Sequence, residues 1–188
     1  MVNSLKAKDI YNIPLCVDLD GTLVKTDMLL ETLILLLKSN PLYIFLLPFW
    51  LFKGKAYMKH QVARRVKIDM PSLPFHKNFL SFLREQHESG RILVLATASD
   101  SIIAEQVAEH LGFFNDVLSS NTRVNLKGKK KLQVLLKKYG DHGFDYAANS
   151  HVDVPVREHC NKAILVNVND GLVDKVKSIA KIHRIFKE

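Results

Sequence analysis

The run Ile13–Val17 (IPLCV) is apolar, too short for a helix, and stops at the turn Asp18-Leu19-Asp20-Gly21-Thr22. Its length and the glycine beyond it make it a buried strand. The pattern returns at Arg91–Ala96 (RILVLA), which ends at Thr97, and at Ala163–Asn167 (AILVN). Phe144–Ala147 and Asp116–Leu118 are further strand candidates. Helical patterns lie between. Ser99 or Asp100 is placed to N-cap a helix running to about Leu111, and Gly112 stands where a helix stops. Lys129–Tyr139 carries Leu132, Leu135 and Leu136 at helical spacing and ends at Gly140. Val154–His159 reads as a short helix with Pro155 in its first turn, where proline is tolerated. Leu172–Ile182 reads as a last amphipathic helix. Fully apolar strands alternating with helices require a mostly parallel sheet covered on both faces, an α/β three-layer sandwich.

The interval from Asp27 to Gly90 breaks the alternation. It reads as several helices and no strand, punctuated by Pro71 and Pro74, with an apolar stripe of Phe75, Phe79, Phe82 and Leu83. Its place after the first strand makes it an inserted helical cap. The expected division is a core of residues 1–25 and 90–188 and a cap of residues 26–89. Within the cap, Leu29–Leu37 and Leu42–Phe52 are very apolar, separated by Lys38, Ser39, Asn40 and Pro41. Neither run approaches the roughly 20 residues a membrane-spanning helix needs. Two readings stand side by side: a buried helical hairpin, or a surface that meets a membrane or a partner protein.

Of the 188 residues, 47% are hydrophobic and 24% charged, which is globular composition and excludes a disordered chain. The formal net charge of +8 favours anionic partners without choosing among them. No nucleic-acid motif is present, so no nucleic-acid partner is expected. Cys16 and Cys160 make neither a disulfide framework nor a zinc pattern; both sit in or near apolar stretches and read as reduced, structural thiols. The eight histidines show no metal-ligand spacing. Arg64, Arg65 and Lys67 read as a solvated helix face, with anion recognition as the alternative. Met1–Asp9 has no apolar signal segment, so a cytoplasmic location is expected, with membrane association through the cap as an addition.

The chemistry is concentrated in Val17-Asp18-Leu19-Asp20-Gly21-Thr22. Residues i and i+2 of an extended chain point the same way, so Asp18 and Asp20 are able to face one pocket. Two carboxylates so close repel unless a cation is present. Magnesium, a hard ion that takes oxygen ligands, suits them. One carboxylate is able to attack phosphorus, and the other to carry a proton. Ligands of open α/β sheets bind beyond the carboxyl ends of the strands, which groups Asp18 with Thr97 and Asn149.

This segment resembles the DxDGT motif of the haloacid dehalogenase-like (HAD) superfamily. The resemblance implies a Rossmann-like core, Asp18 as nucleophile, and Asp20 as general acid and base. It also implies magnesium held by the Asp18 side chain and the Asp20 backbone carbonyl. The second motif, a strand ending in Ser or Thr, matches Leu93–Thr97 and gives Thr97 the phosphoryl group. The third, a lysine near a helix start, falls in Lys127-Gly128-Lys129-Lys130-Lys131-Leu132, with Lys131 preferred and Lys130 second. The fourth aligns with Ala148-Asn149-Ser150-His151-Val152-Asp153. There the usual glycine has become Ala148 and the first acid Asn149, while Asp153 keeps the second. Asn149 and Asp153 are therefore the expected additional metal ligands, and Asn149 brings no charge. Gly21, Thr22 and Ala98 are expected to contact substrate. Dehalogenases need no acid two residues after the nucleophile, so Asp20 favours phosphoryl transfer; mutases share the motifs.

Pro14–Leu23, Gly54-Lys55-Ala56, Leu95-Ala96-Thr97-Ala98 and Phe144–Ser150 also look like the HAD domain that precedes UbiA-type prenyltransferases. That resemblance implies a phosphatase for a small phosphorylated metabolite, such as a sugar phosphate or a lipid-linked phosphosugar. The competing expectation is a catalytically weak binding module that docks a membrane or protein partner through the apolar cap.

Overall fold

A strand buried on both faces presents alternate side chains to two separate helical layers, and this alternation organises the whole molecule. In the computed structural model, which describes residues 13–187, β1 (Leu15–Val17) turns Leu15 and Val17 to one core and Cys16 to the other. β2 (Leu93–Asp100) divides likewise, with Leu93 and Leu95 against Val94 and Ala96. The remaining strands are β3 (Asp116–Ser120), β4 (Asp145–Ala148), β5 (Ala163–Val166) and β6 (Ile182–Phe186). They pair in the order β3-β2-β1-β4-β5-β6, every pair parallel. The expected N-terminal features, Met1–Asp9 among them, lie outside the described residues.

Helices cover both faces. α1 (Met28–Ser39), α2 (Leu47–Phe52), α3 (Lys55–Ala63) and α4 (Lys77–Glu88) fill the interval between β1 and β2. α5 (Ser101–Leu111), α6 (Lys129–Tyr139), α7 (Val154–Glu158) and α8 (Asp170–Lys177) follow. Asp100 caps α5 by accepting from the Ile102 amide, and Gly112 ends it at φ 71°, a backbone conformation that suits glycine.

Two boundaries differ from the sequence reading. α4 belongs to the core and not to the cap. Its Phe79, Phe82 and Leu83 pack with Leu15, Leu93 and Phe186 of the sheet, and Phe79 stacks edge-on against Phe186 at 5.2 Å. The cap proper is α1 to α3, which have their own small core of Leu36, Trp50, Met58 and Val62. At the other end, the helix expected over Leu172–Ile182 stops at Lys177, and Ile182 opens β6. β6 is an edge strand with only Phe186 buried, so it carries none of the apolar density that marks the inner strands.

The hairpin of Leu29–Phe52 is not buried. α1 and α2 are joined by a 3₁₀ turn (Pro41–Phe45), and Leu36 and Trp50 point inward. Its other face exposes large apolar side chains, including Leu42, Phe45, Phe49 and Phe52. Cys16 and Cys160 are free, as expected, and their burial pushes both thiols up.

If α4 is a core element, Phe79→Ala should destabilise the protein by about 3–5 kcal/mol, whereas Phe52→Ala should change stability by no more than about 0.5 kcal/mol. Urea unfolding of the two variants checks this. Equal small losses would return α4 to the cap.

Candidate active site

The strand order reverses between β1 and β4, and the crevice outside their carboxyl ends is where an open α/β sheet places its ligand. Asp18 leaves β1 there, its amide bonded to the Ala147 carbonyl at 2.9 Å. Asn149 leaves β4 beside it. A cleft of about 320 Å³ opens at this point, lined among others by Asp18, Asp20, Gly21, Ala98, Asn149 and Asp153.

Lys131, on the first turns of α6, is the buried cation of the site. Its ammonium donates to Asp18 Oδ1 at 2.8 Å and to Tyr146 Oη at 2.8 Å, and lies 3.4 Å from Asp153 Oδ1. Three protons thus meet three oxygens. Lys129 and Lys130, the other candidates on this helix, point to solvent. Burial works against the Lys131 charge, but Asp18 and Asp153 outweigh it and raise its pKa. Asp18 is raised to about 6: burial acts first, Lys131 opposes it, and Asp153 and Asp20 add repulsion. Two carboxylates, Asp18 and Asp153, thus share the one buried ammonium.

Asp20 is anchored by two donors. The Met28 amide, at the N-terminus of α1, reaches Oδ1 at 2.7 Å, and Ser99 Oγ reaches Oδ2 at 2.7 Å. Burial raises the Asp20 pKa against both bonds. A hydroxyl accepts as readily as it donates, so Ser99 suits either protonation state of Asp20. Ser99 was not foreseen as a site residue. It sits where the β2–β3 register slips between Ala96 and Asp100, an irregularity that re-aims side chains.

Thr97 is fully buried at this slip, its Oγ accepting from the Ser99 amide at 3.0 Å. It does not line the cleft. Thr22, expected to contact substrate, is also fully buried and outside the cleft lining. Its hydroxyl donates to Asn149 Oδ1 at 3.3 Å and accepts from the Asn149 amide at 3.0 Å, so it joins the β1 turn to the β4 turn. Gly21, at φ 69°, lies under the Asn149 amide; a Cβ there would stand 2.1 Å from Nδ2. Ala98 lines the cleft, and its carbonyl accepts from Lys59 Nζ at 2.6 Å and Ser120 Oγ at 2.8 Å.

Other residues emerge only in three dimensions. Lys55 and Lys59 of α3 line the cleft together with Lys25 and Lys127. Arg64, Arg65 and Lys67 do not line it; Arg65 instead bonds Gln61 and lies over the Trp50 ring. Arg157, fully buried, donates to the carbonyls of Ala148 and Ser150, both at 2.7 Å, and so braces the loop that carries Asn149.

The donor set suits a hard cation. Among the described residues no group of three or more His, Cys, Asp or Glu side chains forms a metal cluster. Asp18 and Asp153 nevertheless offer carboxylate oxygens to the same cleft, and the Asn149 carbonyl retains a lone pair beside its Thr22 bond. Converging hard oxygen donors, two of them carboxylates, fit magnesium.

Lys131→Met should destabilise the metal-free protein by roughly 3–5 kcal/mol, because it strands buried carboxylates without their partner. Urea unfolding in the presence of chelator measures this. A loss below about 1 kcal/mol would mean that the ammonium does not hold the site together.

No family model matches the chain. It is 35% identical over 175 residues to an uncharacterized Sinorhizobium fredii protein, y4nM; the match takes in 90% of this chain and 33% of that one, so the chain spans about a third of its relative's length. Among solved structures, a HAD family hydrolase from Salmonella enterica superposes with a TM-score of 0.65 at 13% identity, over 94% of this chain and 67% of the other. A phosphoserine phosphatase in a phospho-aspartyl intermediate analogue superposes with a TM-score of 0.61 at 13% identity, over 94% of both chains. The chain has the three-layer α/β fold of the HAD family hydrolases.

Proposed function

We propose that this protein is a magnesium-dependent phosphatase that acts on a small phosphorylated metabolite through an aspartyl-phosphate at Asp18. The observation that carries the reading is the buried Lys131 ammonium 2.8 Å from Asp18 Oδ1, at the switch point of the sheet and on the floor of the cleft. A phospho-aspartyl analogue has been seen in a phosphatase of the same fold, which supports the same chemistry here.

An Asp18 carboxylate oxygen forms a bond to phosphorus as the ester P–O bond breaks. Lys131 keeps Asp18 ionised and aimed. Asp20 enters as the carboxylic acid and gives its proton to the departing oxygen. The resulting Asp20 carboxylate then takes a proton from water. That water oxygen attacks phosphorus, inorganic phosphate leaves, and Asp18 regains its carboxylate. Ser99 and the Met28 amide hold Asp20 through both of its states. Asp18, Asp153, Asn149 and the Asp20 carbonyl would hold magnesium, which offsets the charge of the nucleophile and of the phosphoryl oxygens when bound. Lys25, Lys55, Lys59 and Lys127 at the cleft favour a substrate rich in anionic groups. The segments that resemble the domain before UbiA-type prenyltransferases support a sugar phosphate or a lipid-linked phosphosugar.

Phosphate release from sugar phosphates, nucleotides and an aryl phosphate, with magnesium and with chelator, tests the proposal. Asp18→Asn should lose on the order of 10⁴-fold or more of kcat, and Asp20→Asn about 10²–10⁴-fold. Ser99→Ala should lose less and shift the pH profile of kcat, since it alters only the setting of Asp20. Full turnover by Asp18→Asn, or turnover indifferent to chelator, would sink the reading; no turnover together with no magnesium binding by calorimetry would favour the binding module.

A further inference from the structure

Apart from Ile92, Val124, Val152 and Ile185, every exposed large hydrophobic side chain among the described residues lies between Leu30 and Phe52. The most exposed are at the tip of the cap: Leu42 at 67%, Phe45 at 68%, Phe49 at 66% and Phe52 at 90%. Isolated exposed apolar residues need no explanation, but a concentrated group of this kind marks an interaction surface. The cap's own core accounts for Leu36 and Trp50 and leaves these side chains outside.

Beyond Glu31, in the first turn of α1, the charges along this segment are of one sign. Between Glu31 and Asp69 the sequence has no acidic residue, while Lys38, Lys53, Lys55, Arg64, Arg65 and Lys67 are all exposed. Lys38 ends α1, and Lys53 directly follows Phe52. Arg65 lies against the base of the hairpin, its guanidinium 4.8 Å from the Trp50 ring centre and 6.0 Å from that of Tyr43. A second copy of this surface would bring cation against cation, which disfavours self-association. An apolar tip flanked by Lys38, Lys53 and Arg65 instead matches the boundary of a bilayer that contains anionic lipid. No helix among the described residues is long and apolar enough to cross a membrane, so the fit is to a surface.

We propose that the α1–α2 tip docks this protein on an anionic bilayer, with the cleft at the membrane surface. Leu29 of α1 and Lys55 of α3 both line the cleft, while Leu30 and Phe52, one and three residues away from them, belong to the apolar face. A phosphate ester carried by a lipid-embedded molecule would therefore approach the cleft along the docking face. The docking itself stands whether or not the site hydrolyses phosphate esters.

Flotation with phosphatidylcholine vesicles, and with vesicles that also contain phosphatidylglycerol, tests it. Wild type should float with the anionic vesicles at low salt and be released as salt is raised. Phe45→Ser, Phe49→Ser and Phe52→Ser combined should lower the partition coefficient at least about tenfold. That variant should keep the wild-type thermal unfolding curve. Lys38→Gln with Lys53→Gln should lower the salt concentration at which release occurs. Three outcomes would overturn the proposal: wild type that floats with neither vesicle, a triple variant that floats like wild type, or a wild-type dimer that the triple variant breaks up while vesicles are ignored.

Discussion

One ammonium holds the site together. Lys131 is buried beneath the cleft and shares its protons among Asp18, Tyr146 and Asp153. Those partners come from three different elements, so the contact fixes β1, β4 and the loop after β4 relative to α6. Desolvation of so many charged groups is costly, and mutual attraction alone returns only part of that cost. In the proposed reaction the arrangement has a use: a carboxylate already aimed and surrounded by fixed dipoles needs little reorganisation when charge moves.

The rest of the structure can be read outward from that contact. The Gly21 turn passes under Asn149, and Thr22 ties the two turns together. Arg157 supports the Asn149 loop from behind through two backbone carbonyls. At the opposite end of the sheet a second buried ion pair, Arg91 with Asp145, joins the starts of β2 and β4, and Arg91 also reaches the Ile13 carbonyl at 3.1 Å. The sheet is thus tied at both ends, with its apolar layers between. The cap reaches this framework through apolar packing of Met28 and Ala63 into the main core and through polar contacts: Met28 to Asp20, Lys59 to Ala98, and His60 to Asp100 at 3.2 Å. The first of those bonds connects Asp20 directly to the cap.

Much of this was legible in the sequence where side-chain pattern and backbone geometry coincide. β1, β2 and β5 announce themselves because both faces are buried, and α5 and α6 because caps and glycines mark their ends. Asp18 and Asp20 were legible because they follow a strand end, whereas Lys131 and Asp153 came from the resemblance to the HAD motifs, and the structure brings both to the same cleft. β6 was not, since an edge strand buries little. α4 was misplaced because an apolar stripe says that a helix is covered and not by what. The roles of Ser99, Lys59 and Arg157 depend on which elements approach one another, and no local pattern encodes that. Thr22 shows the reverse case, a residue whose position in the motif suggested substrate and whose burial gives it to Asn149. The hairpin is the plainest example of all, because its composition fits a buried helix pair as well as an exposed apolar tip.

The central claim is that Asp18 takes the phosphoryl group. Rapid acid quench during turnover, followed by mass spectrometry of proteolytic fragments, tests it most directly. The account predicts one added phosphoryl group on the peptide that contains Asp18, sensitive to hydroxylamine as an acyl phosphate is. A phosphoryl group on another side chain, or turnover with no covalent adduct at any quench time, would contradict it.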